Sequence, residues 1–82
     1  MRTLKLGEMR KGEGGTITRV GTPGAFDLEL VNRLLEMGLL EGSAVELVLE
    51  APFGGDPVAV RVRGAMIALR RNEANQIEVQ CE

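Results

Sequence analysis

The chain has 82 residues, 44% of them hydrophobic and 27% charged, with a net charge of −2. So short a chain forms one domain, residues 1–82, with no room for separate cofactor and substrate lobes. It lacks histidine and holds a single cysteine, Cys81, which excludes an internal disulfide and the ordinary zinc sites, and the lack of Trp and Tyr removes the stacking platform that single-strand nucleic-acid binders use.

Charges interrupt the opening residues 1–8, so no secretory leader is read there. No apolar run approaches the ~18 residues of a membrane span. A cytosolic location without membrane insertion is therefore expected, with Cys81 reduced. Glycines at 7, 12, 14, 15, 21, 24, 38, 42, 54, 55 and 64 punctuate the chain and are read as turn residues. The stretch 12–16 leads into a strand and has no Lys-Ser/Thr ending, so a turn explains it better than a phosphate loop.

The first predicted strand is residues 16–20, β-branched and alternating. Residues 25–37 follow with the spacing of a helix that carries a broad apolar stripe. Asp27 is placed to cap its first turn, and Gly38 to end it in the left-handed conformation with Leu39 as the accompanying apolar contact. Residues 44–50 form the next strand, with Val45, Leu47 and Leu49 on one face and Glu46 and Glu50 on the other. Residues 58–63 alternate most cleanly, three valines inward and Arg61 and Arg63 outward. Residues 66–70 and 76–81 complete the series, separated by one helical turn at 72–75, and Ile77, Val79 and Cys81 share a face. About five short strands with one helix inserted after the first predict a mainly-β, partly closed barrel, which also protects strand edges.

Chemistry is hard to place on this frame. Without histidine, and with Cys81 beside the C-terminus, no nucleophile has a positioned base, and no pocket suited to a substrate is expected. No enzymatic activity, cofactor or metal ligand is assigned; Cys81 reads as a small buried apolar residue. Phe53, in the connection 53–57, either anchors a partner or folds over the barrel mouth. Leu39 and Leu40 either pack in the core or form an apolar interaction site after the helix. Arg61, Arg63, Arg70 and Arg71 make the strongest basic cluster, suited to an acidic protein surface or an anion. The pI near 5.2 argues against nucleic acid.

Taken together, several segments resemble one family. Arg33-Leu34-Leu35-Glu36-Met37-Gly38-Leu39 followed by Gly42, then Gly55-Asp56-Pro57-Val58-Ala59-Val60, then Gly64 with Ile67-Ala68-Leu69-Arg70, and finally Ile77-Glu78-Val79 look like the FeoA family of ferrous iron transport. The resemblance covers nearly the whole chain, and implies that Leu34, Met37, Gly38, Leu39, Gly42, Asp56, Pro57 and Gly64 are mainly fold-defining. It implies an SH3-like barrel and a small cytoplasmic accessory of the FeoB transporter. Such an accessory would bind the transporter's cytosolic GTP-binding region and modulate uptake of a transition metal without chemistry of its own. Leu39 and Leu40 would lead the contact, with Phe53, Arg61 and Arg63 as secondary sites; a second copy of the chain is the other partner considered. Glu41 departs from the pattern where a proline often precedes the turn glycine, and Phe53-Gly54-Gly55 enlarges the hairpin tip. The alternative is a regulatory barrel like the C-terminal part of iron-dependent repressors, binding a protein segment, an anion or nucleic acid through its arginines. A chain that starts at Met1 without their metal-ligating DNA-binding region favours the transport accessory.

Overall fold

A computed structural model describes residues 2–24 and 27–81. Six strands, β1 (Arg2–Lys5), β2 (Gly14–Val20), β3 (Ala44–Glu50), β4 (Val58–Val62), β5 (Ala65–Leu69) and β6 (Ile77–Cys81), form one sheet in the order β1-β6-β2-β3-β4-β5. Every neighbouring pair is antiparallel. A 3₁₀ turn at Leu6–Glu8 follows β1; helix α1 (Leu28–Glu36) joins β2 to β3, and a single helical turn, α2 (Arg71–Ala74), joins β5 to β6.

β1 is not among the strands that the sequence predicts. That strand is four residues long and largely exposed, with Arg2, Thr3 and Lys5 facing water, so it shows little of the alternation that marks a half-buried strand. Its register on β6, Arg2 opposite Cys81 through Lys5 opposite Glu78, holds it in place. The helix consequently follows the second strand, not the first.

Local chemistry explains α1. The Asp27 carboxylate accepts from the Leu30 amide at 3.1 Å, which satisfies one of the unpaired first-turn donors. At the other end Gly38, at φ +95°, lets the Gly38 and Leu39 amides turn back to the Leu35 and Leu34 carbonyls at 3.0 and 3.1 Å, a Schellman stop. The expected helix start at Ala25 and Phe26 lies outside the described residues.

Two β-bulges bend the sheet into a partly closed barrel. One lies in β2 between Ile17 and Arg19, opposite β6; the other lies in β3 between Leu47 and Leu49, opposite β4. An extra residue on one strand kinks the ladder and strengthens its twist. The second bulge also reverses the facing of the rest of β3. Val45 and Leu47 are buried as predicted, but Leu49 is 51% exposed, while the Glu50 side chain is only 21% exposed. The predicted facing of both residues is thus corrected.

The core gathers Leu6, Met9, Ile17, Leu34, Leu39, Val45, Leu47, Val58, Val60, Val62, Leu69, Ala74, Ile77, Val79 and Cys81. All three valines of β4 and the Ile77, Val79, Cys81 stripe face inward as their alternation indicated. Gly14 and Gly15, read as turn residues, lie instead within β2. Gly15 is there because of crowding: a Cβ on it would collide with the Gln80 carbonyl of β6.

Candidate partner-binding surface

Leu39 is fully buried. It belongs to the core and offers nothing to a partner, because the Schellman stop folds it back against the helix. Leu40, 37% exposed, remains available. The next turn runs from Leu40 to Ser43, whose amide donates to the Leu40 carbonyl at 3.1 Å, with Gly42 at φ +88°. Glu41 therefore occupies the second position of a turn whose third position needs positive φ, the place where proline is favoured in a type II turn.

Phe53 is fully exposed with φ +61°. It stands at the tip of the β3–β4 connection and does not cover the barrel mouth. Arg61 is exposed on the outer face of β4 and pairs with Glu46 of β3 at 3.4 Å. Arg63 and Gly64 form the two-residue turn between β4 and β5 at φ +52° and +81°, with Val62 opposite Ala65. Both central residues of such a turn need positive φ, which suits Asn-Gly best. Arginine there is strained, so Arg63→Asn is expected to raise stability by about 0.5–1 kcal/mol, read as a higher urea midpoint with unchanged slope.

The structure brings part of the expected site together. Arg61, Arg63 and Gly64 line one shallow depression of about 300 Å³ with Gly15, Ala44, Val45 and Glu46, and Arg63 reaches the loop after α1, its Cδ in ordinary contact range of a Cβ built on Gly38. Phe53 lies at the opposite end of β4, beyond Val58. Between the two ends, register places Leu49, Ala59 and Ala68 in one cross-strand row and Glu46, Arg61 and Met66 in another. Residues paired across a ladder share a face, and so do alternate residues along a strand. Leu49 and Met66, each about half exposed, thus give the outer face of β3–β4–β5 an apolar patch, with Phe53 beyond one end and Arg63 beyond the other. Neither Leu49 nor Met66 stands out in the sequence as a contact residue; only the bulge turns Leu49 outward.

The four-arginine cluster does not exist as a patch. Arg63 precedes β5 and Arg70 follows it, so the five residues of β5, at roughly 3.3 Å each, separate them. Arg71 points into the fold, with 19% of its side chain exposed. Its Nε donates to the Gly55 carbonyl at 2.8 Å, Nη1 to the Gly7 and Met9 carbonyls at 3.1 and 2.7 Å, and Nη2 to Glu50 Oε1 at 2.6 Å. Its amide donates to Asp56 Oδ1 at 3.0 Å. The Asp56-Pro57 motif thereby acquires a concrete role, since Asp56 and the Gly55 carbonyl together tie the β3–β4 connection to α2. The Asp56–Pro57 peptide is cis.

Glu50 is the acidic half of this network. The Lys11 amide donates to its Oε2 at 3.0 Å. That hydrogen bond, followed by the charges of Arg10 and Arg71, holds its carboxyl below the ordinary carboxylate value despite opposing desolvation. Glu13 is lowered similarly, by the Arg10 amide and then by Arg2. A carboxyl lowered in the fold contributes stability that is complete above its unfolded value, near 4.5, and is lost as pH falls through the folded value. Stability is therefore expected to decline below about pH 4.5, and Glu50→Gln should flatten that decline while lowering the plateau at neutral pH, measured as urea midpoints between pH 3 and 7.

A second depression, of about 650 Å³, lies along Arg2, Glu13, Gly15, Thr16, Gln80 and Cys81. Arg2 is already paired there with Glu13 at 2.8 Å, and Cys81 is buried. Among the described residues no group of three or more His, Cys, Asp or Glu is placed to hold a metal ion, and no helix is long and apolar enough to cross a membrane.

Comparison with known proteins agrees with this architecture. The chain is 36% identical over 77 residues to an Fe(2+) transport protein A/Fe(2+) transporter FeoB fusion protein of Porphyromonas gingivalis, a match that covers 94% of this chain and 8% of that relative. A crystal structure of Stenotrophomonas maltophilia FeoA complexed with zinc, described as a prokaryotic SH3 domain protein, is 31% identical with a TM-score of 0.79, over 94% of this chain and 89% of that one. A manganese-dependent transcriptional repressor shares the fold, with a TM-score of 0.81 at 21% identity over 98% of this chain and 42% of its own. The FeoA domain model matches residues 4–81, and with the SH3-like barrel it accompanies, the chain belongs to the FeoA family.

Proposed function

We propose that this protein is a small cytoplasmic accessory of ferrous iron transport that binds the cytosolic GTP-binding region of an FeoB-type transporter and modulates uptake, without catalysing a reaction itself. The observation that carries this reading is the relative named as a fusion of transport protein A with FeoB. Two modules linked in one polypeptide meet at a high effective concentration, and their contact still requires a binding surface on the smaller module. Exposed apolar side chains supply one: Phe53, Leu49 and Met66 on the sheet side and Leu40 after α1. Such side chains, backed by a rigid barrel, are the anchors that protein interfaces use.

Calorimetric titration of the folded chain against the transporter's cytosolic region tests the reading. A dissociation constant on the order of micromolar, usual for a transient regulatory contact, is expected. Absence of binding, with the chain shown to be folded, would sink it. The repressor-like alternative draws only on a shared fold, and its arginine patch is dispersed, so weak retention on heparin even at low salt is the accompanying expectation.

A further inference from the structure

The sheet has two edge strands, and they are built differently. β1 is four residues long and carries Arg2 and Lys5, the short, charged construction that discourages pairing with another chain. β5, Ala65-Met66-Ile67-Ala68-Leu69, has no charge and no proline, and its pairing with β4 runs through all five residues without a bulge.

Register shows which of its backbone groups are open. In a two-residue hairpin the residues that flank the turn, here Val62 and Ala65, form a hydrogen-bonded pair. Alternation then makes Val60 with Ile67 and Val58 with Leu69 the other bonded pairs. The N–H and C=O of Met66 and Ala68 are left pointing outward, and no backbone hydrogen bond joins residues 65–69 to any described part of the chain outside the β4–β5 ladder. The side chains of the same two residues lie on the apolar outer face beside Leu49 and Ala59.

Both ends of this edge are positive. Arg63 and Arg70 are exposed, and neither has an ion-pair partner among the described residues, whereas Arg2, Arg10, Arg19, Arg33, Arg61 and Arg71 all do. Arg63 moreover occupies a left-handed backbone position that asparagine or glycine would hold with less strain.

We propose that the open edge of β5 takes an extended segment of a protein partner as a seventh strand. The segment is apolar at its centre and acidic at both ends, so that its carboxylates meet Arg63 and Arg70. Main-chain pairing at an exposed edge supplies affinity, and side chains at alternate positions supply selectivity. A second copy of the chain fits worse. Antiparallel self-pairing centred on Ile67 would bring the exposed Arg63 of each copy to the same end of the ladder as the exposed Arg70 of the other, one register step apart, and juxtaposed like charges repel. The inference rests on the accessory reading and adds the mode of contact and the chemistry of the bound segment.

The test uses the full chain, the transporter's cytosolic region, and an independent probe: a synthetic peptide of alternating valine and threonine with two glutamates at each end. Both ligands are expected to slow amide exchange at Met66 and Ala68. Arg63→Glu combined with Arg70→Glu should weaken both by about tenfold or more. Ala68→Pro, which removes an outward N–H and leaves the ladder bonds intact, should abolish the exchange protection at the remaining reporter, Met66. If that variant fails to fold, the arginine variants, altered at exposed positions, still decide the matter. Binding of the transporter region with unchanged exchange at Met66 and Ala68 and undiminished affinity in the variants would overturn the edge inference and leave the accessory reading intact. Peptide binding at β5 without any transporter binding would uphold the edge and sink the accessory reading, and failure of both ligands would sink both. A free chain found as a β5-paired dimer would overturn the acidic occupant in favour of a second copy.

Discussion

Arg71→Ala is expected to destabilise the fold by about 3 kcal/mol, the magnitude typical when a largely buried, hydrogen-bonded cation is removed from its partners. One guanidinium satisfies the carbonyls of Gly55, Gly7 and Met9 and the Glu50 carboxylate. Its loss therefore strands acceptors on the 3₁₀ turn, the segment after it, the end of β3 and the β3–β4 connection. An unmade bond to a half-buried group costs more than the bond itself contributes. A chain of 82 residues has on the order of 4 to 12 kcal/mol in total, so this one side chain holds a sizeable share. Arg71→Lys should also cost about 2 kcal/mol, because an ammonium has no planar fork to serve four acceptors at once. Urea denaturation at pH 7 measures both. A loss under about 0.5 kcal/mol for Arg71→Ala would show the network to be no stronger than an exposed ion pair.

Gly15→Ala should cost a similar amount, about 3 kcal/mol, through overpacking. The added methyl would collide with the carbonyl oxygen and carbon of Gln80, with a Val79 methyl also at its limit. Two of these three contacts are backbone, so relief requires β2 and β6 to separate where Gly15 faces Cys81. Gly12→Ala is the informative contrast. Gly12 has φ +93° but nothing within 4 Å of a built Cβ, so it bears only the left-handed penalty of roughly 1–2 kcal/mol. Amide exchange should separate the two: Gly15→Ala opens the β2–β6 pairing locally, while Gly12→Ala lowers stability without changing the pattern. Equal effects in size and location would show that the close approach at Gly15 relaxes at little cost and does not require glycine.

Both predictions concern residues whose roles are set far along the chain. Arg71 reaches Gly7 across 64 positions and Met9 across 62, and it stands in a run of arginines that gives no local sign of which one turns inward. Glu50 follows an alternation that places it outward, until the Leu47–Leu49 bulge reverses the strand. The same bulge exposes Leu49 and so creates the apolar patch beside Met66. Leu39 is the reverse case: a leucine after a helix stop reads equally well as core or as contact, and only the Leu39-to-Leu34 hydrogen bond and its complete burial decide for the core.

The features legible without a structure are those that contiguous residues encode. Alternation at 58–62 and 77–81 sets the buried stripes, Asp27 and Gly38 bound the helix, and the Met37-Gly38, Gly42, Asp56-Pro57 and Gly64 pattern carries the family. These depend on backbone preferences and on periodicity within one element, so a local reading reaches them. Folding alone decides where the sheet bends, which arginine holds the core loops together, and that β5 is an open, uncharged edge while β1 is a charged one. Bulges, close approaches and edges are properties of pairs of strands. Their energies come from residues that the chain brings together only when it folds.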